Sequence, residues 1–258
     1  MKITGKTEGI FAHAVALEQS GGLRNTIYGL GKKVYIMNYD HTVLLRFAFP
    51  KGDNQKEFDP PISFKANDYD SNEFREENGK IVFTSEKNGY LRTKTCGTTE
   101  LTPMEVEELF EKYTGEVSDR RATMTIDKGI LELLDDALSH IEFIAEEGEE
   151  IRLIQRNIYS GGIIQVQKAG SLLDTEAVDN GVGPIALKTG DFQALFSFTD
   201  ILKFHFPTDG NGDFVLVEAY KSNYPFKGVI ACCLYDEIIE IKEAQTDGRQ
   251  KQKVRRSK

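Results

Sequence analysis

No stretch of the 258-residue chain approaches the ~18 uncharged apolar residues that a membrane span needs, so no transmembrane helix and no membrane partner are expected. The opening segment MKITGKTEGIF has no apolar run leading to a small-residue cleavage site, which argues against a secretory signal. Cysteine is scarce. Cys96 and the adjacent Cys232 and Cys233 make neither a paired framework nor a CxxC, so a reducing cytoplasm is the expected setting. His13, His41, His140 and His205 lack metal-ligand spacing, and no metal is expected. GLGKK at 29–33 lacks the pattern of a phosphate loop and reads as a tight turn before a strand. TDGNGD at 208–213 reads as a hairpin turn, because Phe214 and Tyr220 stand where a calcium loop requires glycine and glutamate. The Cys232–Cys233 pair, in the apolar run GVIACCLY, has no identifiable neighbouring base, and at least one of the two is expected in the core. Asp135–Asp136 and Glu146–Glu147 are ordinary pairs in an acidic chain, so no catalytic residue, no cofactor and no enzymatic activity are expected.

What is present is a globular composition, 40% hydrophobic and 28% charged with a mean hydropathy of -0.39. The formal charge is -9, and it is unevenly spread. Between Lys242 and Lys258 seven basic residues stand against Glu243 and Asp247, a balance of +5, which leaves -14 for the rest. Between Glu100 and Asp119 seven acids stand against Lys112, a balance of -6. The chain therefore reads as an acidic body, a very acidic middle and a basic tail.

The acidic middle carries a full set of helix signals. Thr102 suits the cap, Pro103 the first helical position, and Glu105 follows Thr102 by three as in a capping box. Leu101 and Val106 suit a hydrophobic staple, while Val106, Leu109, Phe110 and Tyr113 line one face and Gly115 ends the run. A short amphipathic helix is expected here, joining two halves.

The halves themselves repeat. Residues 7–49 and 127–167 each read as a helix followed by three strands, with Gly9-Ile10-Phe11 parallel to Gly129-Ile130-Leu131. In the second copy Ile130, Leu133, Leu134, Ala137 and Leu138 trace a helical stripe behind an Asp127 cap. The stretches Ile62 to Cys96 and Ile185 to Cys233 both begin I-x-x-K, with Lys65 and Lys188, and both end in an alternating strand, a turn and another strand. Between those ends lies a second helical candidate, with Phe192, Leu195 and Phe196 in phase after Thr189 and a weaker DYDSNEF in the first copy. The expected division is 1–99, a connector 100–121, 122–241, and a flexible tail 242–258.

In this order of elements, with a connector between two similar domains and an acidic balance, the chain resembles the DNA sliding clamps of the proliferating cell nuclear antigen and tailed-phage type. The resemblance covers most of residues 1–240 and is carried best by ATMTIDKGILELLDDALSHIEFIAEEGEEIRLIQRN and NGDFVLVEAYKSNYPFKGVIACCLYDEI. It implies an α+β fold of two similar clamp-like domains, each with two helices packed on antiparallel sheet. It further implies a homotrimeric ring whose sheets continue across subunit boundaries. The implied partners are double-stranded DNA, a DNA polymerase and a clamp loader, in the host bacterial cytoplasm for a phage-encoded chain. A different class of reading is an acidic regulatory or virion-associated module that binds protein through the connector without encircling DNA.

Helices facing phosphate need cations, since phosphate neutralisation carries sequence-independent affinity. Lys6, Lys65, Arg75, Lys128 and Lys188 lie at or near the four helical segments, although each also suits an ordinary solvated surface. Glu132, Asp135 and Asp136 on the third segment oppose phosphate contact. The tail QKQKVRRSK, with Arg249, Lys251, Lys253, Arg255 and Arg256 in and beside it, suits nucleic acid, a disordered end, or docking on an acidic surface of its own ring. For a partner peptide, position in the resemblance points to Leu109, Phe110 and Tyr113 in the connector and Leu234, Tyr235 and Ile238 after the last strand; packing of the connector on its own domain is the competing use.

Overall fold

Helix α1 (Gly5–Gln19) buries Ile10, Phe11, Ala14 and Leu17, which recur on one side of its turns, and presents Lys6, Glu8, Ala12 and Ala16 to solvent. Strands β1 (Asn25–Gly31), β2 (Lys33–Asn38), β3 (Val43–Ala48) and β4 (Phe58–Lys65) follow, then a single 3-10 turn at Ala66–Asp68, then β5 (Phe74–Glu77), β6 (Lys80–Lys87) and β7 (Tyr90–Thr95). Helix α2 (Pro103–Glu116) leads into β8 (Arg121–Asp127), a 3-10 helix at Lys128–Leu133, β9 (His140–Ala145), β10 (Arg152–Arg156), β11 (Ile163–Val166), β12 (Leu173–Thr175) and β13 (Val182–Lys188). Helix α3 (Thr189–Leu195) precedes β14 (Ile201–Pro207), β15 (Phe214–Ala219) and β16 (Phe226–Ala231). The computed structural model describes residues 1–19, 24–49, 55–116, 121–156, 163–166, 172–207, 213–219 and 222–233.

Strand pairing repeats between the halves. In the first, β1 pairs with β2 and β4, β2 with β3, β5 with β6 and β6 with β7, while Lys2 bridges to Glu73. In the second, β9 pairs with β10 and β13, β10 with β11, β14 with β15 and β15 with β16, while β8 pairs with β14. All of these pairs are antiparallel, and β12, added beside β8, is the exception to the match. Lys65 and Lys188 occupy the N-cap positions of the Ala66–Asp68 turn and of α3, as their I-x-x-K repeat requires.

Among the described residues one strand pair joins the sheets of the two halves. β16 lies antiparallel to β3, and this pairing fuses the sheets into one of nine strands, ordered β12-β8-β14-β15-β16-β3-β2-β1-β4. Side chains alternate across it. Ile27, Val34, Ile36, Val43, Leu45, Phe47, Val217 and Ile230 enter the main core with α1, Phe192 and Leu195. Tyr28, Tyr35, Met37, Leu44 and Val229 point to the other face, where Val106 and Phe110 of α2 cover them. The helical segments of both halves therefore share one face of the sheet and the connector occupies the opposite one. Gly9 fits this packing at another point where the halves touch: a Cβ there would stand 2.5 Å from the Tyr224 hydroxyl.

The helices differ from the sequence reading in two places. The stretch after Asp127 was expected to be a full α-helix, and it is a 3-10 helix ending at Leu133. Asp127 does cap, its Oδ1 accepting from Gly129 N at 2.8 Å. The helix stops because Asp135 turns the chain: its side chain accepts from Ala137 N at 2.9 Å, and its own N–H donates to Gln155 Oε1 at 2.8 Å. The expected stripe splits accordingly, with Ile130 and Leu138 buried and Leu133 exposed. In the first half the DYDSNEF candidate is likewise not helical; the 3-10 turn lies just before and at its start.

Candidate nucleic-acid and partner interface

The connector is built as its local signals dictate. Glu105 Oε2 accepts from Thr102 N at 2.7 Å, and Glu105 N donates to Thr102 Oγ1 at 3.3 Å, a reciprocal capping box. The backbone and hydroxyl donors of Thr102 hold the Glu105 carboxyl below its ordinary value. Two strand cations then pin the helix to the first half. Lys33 of β2 donates to Glu107, which also accepts from the Tyr35 hydroxyl at 3.1 Å, and Arg46 of β3 reaches Glu111 at 2.7 Å. Arg46 lies 4.3 Å from the centre of the Phe110 ring. Part of the acidity that marks this segment is therefore internal to the fold.

That packing sorts the expected peptide anchors. Phe110 is fully buried against Tyr35, so it belongs to the sheet and offers no surface to a partner. Leu109 and Tyr113 are half-buried at its flanks, and Tyr113 stacks on Phe214 with ring centres 4.3 Å apart. Leu234, Tyr235 and Ile238 lie outside the described residues, as do Arg249, Lys251, Lys253, Arg255 and Arg256 of the tail.

The five described cations do not gather. Lys6 stands exposed on α1, and Lys128 on the 3-10 helix reaches Asp200 at 3.9 Å. Arg75 lies on β5, pairs with Glu77 at 2.6 Å and points away from the face that Phe74 buries. Lys188 reaches Asp40 in the turn between β2 and β3 at 3.6 Å. Lys65 points to the connector side, where its Nζ lies 5.4 Å from the centre of the Tyr39 ring. The helical face thus carries Lys6 and Lys128 beside Glu8, Glu132, Asp135 and Asp136, a sparse cationic surface.

Sequence reasoning missed a small, open concavity on the connector side, lined by Thr26, Tyr28, Tyr39, His41, Lys65, Thr99 and Glu100. His41 Nε2 lies 3.7 Å from Glu100, and burial pushes the Tyr28 hydroxyl up to about 12 despite the bond it makes with Thr26. Its residues come from four separate segments, and no sequence spacing announces them. Also unforeseen is the β2–β3 turn as a tie between halves. Asn38 donates to Thr42 Oγ1 at 2.8 Å, and Thr42 donates at 2.6 Å to Asp191, whose carboxyl burial holds above its ordinary value.

Little chemistry is on offer at the cysteines. Burial pushes both Cys96 and Cys232 up to about 12, so both are thiols and not thiolates at neutral pH. Among the described residues no group of three or more potential metal ligands gathers, and no helix is long and apolar enough to cross a membrane.

No protein-family model matches the chain, and no curated protein matches it in sequence. Solved structures do. A chain of the PCNA2–PCNA3 complex from Sulfolobus tokodaii superposes with a TM-score of 0.51 at 15% identity, covering 86% of this chain and 94% of that one. The DNA polymerase III subunit beta from Borrelia burgdorferi, solved with a natural product, superposes with a TM-score of 0.52 at 11% identity. That match covers 87% of this chain and 62% of the other. With two similar antiparallel units joined edge to edge, helices on one face and a connector on the other, the chain has the sliding-clamp fold.

Proposed function

We propose that the chain is a processivity factor of the tailed-phage type, three copies of which close into a ring that encircles duplex DNA and tethers a DNA polymerase. Its units are residues 1–99 and 122–241, joined by the connector 100–121. The observation that carries the reading is the repeat of strand pairing. Within the chain, β16 of the second half joins β3 of the first. Among the described residues their counterparts by pairing, β7 and β11, are edge strands of their sheets. Those two edges carry Tyr90, Leu91 and Ile163, exposed by 79%, 68% and 55%. An uncovered edge with apolar side chains invites another strand. Joining β7 of one copy to β11 of the next repeats the in-chain joint between copies, and a head-to-tail contact that repeats closes into a ring when its rotation allows.

The helical face then lines the hole. Because it is sparsely cationic, encirclement retains the DNA more than phosphate contact does, and the basic tail at 242–258 adds the cations that the helices lack. The polymerase, and a clamp loader in turn, grip the opposite face along the flank of α2 at Leu109 and Tyr113 and into the concavity beside Thr99. Tethering makes rebinding intramolecular and raises retention by ~10² to 10⁴ without any bond being made or broken.

Retention on DNA of defined topology tests the reading. The protein, assembled on a nicked circular duplex and passed over a sizing column, is expected to stay with the circle and to leave once a restriction enzyme linearises it. Equal retention on circular and linear DNA would refute encirclement and favour the protein-binding module.

A further inference from the structure

We infer that the second half of the chain shapes a concavity lined from the first half and the start of the connector: Asp191 of α3, acting through Thr42, is the positioning residue for Tyr39 and His41 in its wall. This rests on the reading of that concavity as part of the polymerase grip, and it means that a segment seated there reads both halves at once.

The wall is the turn between β2 and β3. Tyr39 and His41 stand at its tip and line the concavity together with Lys65 and Glu100. His41 Nε2 lies 3.7 Å from Glu100, and the Lys65 amine lies 5.4 Å from the centre of the Tyr39 ring, so displacing the tip dissolves both contacts. The φ of His41 is 57°, a left-handed backbone that residues other than glycine seldom adopt and that persists where the surroundings over-determine it.

Part of what holds the tip comes from the other half. Asn38 closes the base of the turn: its side-chain amide donates to Thr42 Oγ1 at 2.8 Å, its Oδ1 accepts from Val43 N at 2.8 Å, and its carbonyl accepts from His41 N at 3.0 Å. Thr42 then gives its own proton across the joint, to Asp191 Oδ2 at 2.6 Å. Asp191 is 3% exposed, and a buried carboxylate that loses its donor cannot turn to solvent, so this bond is costly to break. Lys188 also reaches the tip, at Asp40, but those two side chains are 45% and 70% exposed and such a pair contributes little. Helix α3 is in turn fixed within its own half, by Phe192 and Leu195 in the main core and by Thr189 Oγ1, which donates to Leu138 O at 2.6 Å.

The repeat shows that this use of the carboxylate is particular to Asp191. Asp68 stands three residues after Lys65, as Asp191 stands three after Lys188. Yet Asp68 accepts from Gly97 N at 3.2 Å and meets Lys94 at 3.6 Å, both within its own half. A wall preset from across the joint leaves a seated segment less to order on binding.

Selective 13C labelling of the four histidines, with amide hydrogen exchange read by mass spectrometry, tests the inference on the full chain. His41→Gln assigns the His41 signal. Thr42→Val removes the hydroxyl at constant shape and leaves the carboxylate in place. It should move the His41 imidazole signal and speed exchange at residues 39–42 by about tenfold or more, as the loss of a buried hydrogen bond implies. The His13 signal should stay, because His13 meets Phe198 and Tyr224 at the other contact of the halves and reports whether the joint as a whole has loosened. Thr42→Ser, which keeps the donor, should restore the wild-type His41 signal and exchange. Asp191→Ala should reproduce Thr42→Val; where it fails to fold, Thr42→Val decides alone. An unmoved His41 in Thr42→Val means that the turn holds itself, and overturns the inference while the polymerase grip stands. Movement of His13 along with His41, or no rescue by Thr42→Ser, makes the bond a general tie of the joint and overturns it as well. A polymerase whose addition leaves the wild-type His41 signal unmoved would remove the grip from this concavity and leave the positioning as measured.

Discussion

Truncating Phe110 separates two uses of the connector helix. Its ring is fully buried, meets Tyr35 edge-on at 5.9 Å and lies under the Arg46 guanidinium at 4.3 Å. Phe→Ala in a core costs about 3–5 kcal/mol, and the lost cation–π contact adds about 0.5–1 kcal/mol. Because α2 lies on the outside of the sheet, where it can relax into the vacated space, the lower end applies, and about 3 kcal/mol is expected. Urea unfolding followed by far-ultraviolet circular dichroism reads this as a midpoint lowered by about 1 M, given a slope of about 3 kcal/mol/M for a chain of this size. Leu109→Ala is the internal comparison. That side chain is only half-buried, so it should lose no more than about 1.5 kcal/mol. Equal losses for the two variants, or a loss below about 1 kcal/mol for Phe110→Ala, would show that the helix does not pack through Phe110. Weakened polymerase binding with unchanged stability would return Phe110 to the partner surface.

Two more perturbations follow from the same packing. Gly228→Ala places a methyl against Leu45 in the in-chain joint and should destabilise the chain by about 1–3 kcal/mol in the same urea experiment; a neutral result would mean that β16 and β3 lie further apart. Glu107→Gln should cost about 1 kcal/mol at pH 7, because the Lys33 amine holds the Glu107 carboxyl below its ordinary value of 4.5 against the opposing effect of partial burial. A folded-state value below the unfolded one gives stability that is complete above about pH 5 and is lost as pH falls through the folded value, so wild type and variant should converge in acid. A gap that stays constant down to pH 2 would remove the ion pair from the explanation.

The parts of this fold that were legible in the sequence are those fixed by neighbours. The connector helix could be placed to within a residue because Thr102, Pro103, Glu105 and the Val106–Phe110 stripe all act inside one helix; its end runs one residue past Gly115. The repeat was legible for the same reason, since Lys65 and Lys188 close equivalent strands. The third helical segment misled because Ile130 to Leu138 satisfies helical spacing while Gln155, distant in sequence, takes the Asp135 N–H that a continuing helix needs. The cations misled differently. Nearness to a helix in sequence says nothing about which face of a strand end a side chain leaves, and Lys65 leaves toward Tyr39. The strand edges and the Thr26–Glu100 concavity arise from pairings across the whole chain, which composition and periodicity do not encode.

One consequence of the two-faced sheet concerns timing. The α1 side and the α2 side are separated by a full sheet, with a packed side-chain layer on each side of it. On the proposed function, a duplex against the first and a protein gripping the second would share no atoms and would not displace one another. If the proposed ring is right, visitors on the outer side would come and go in sequence while the track runs on undisturbed, and the molecule would be a moving platform whose cargo is chosen independently of its rail.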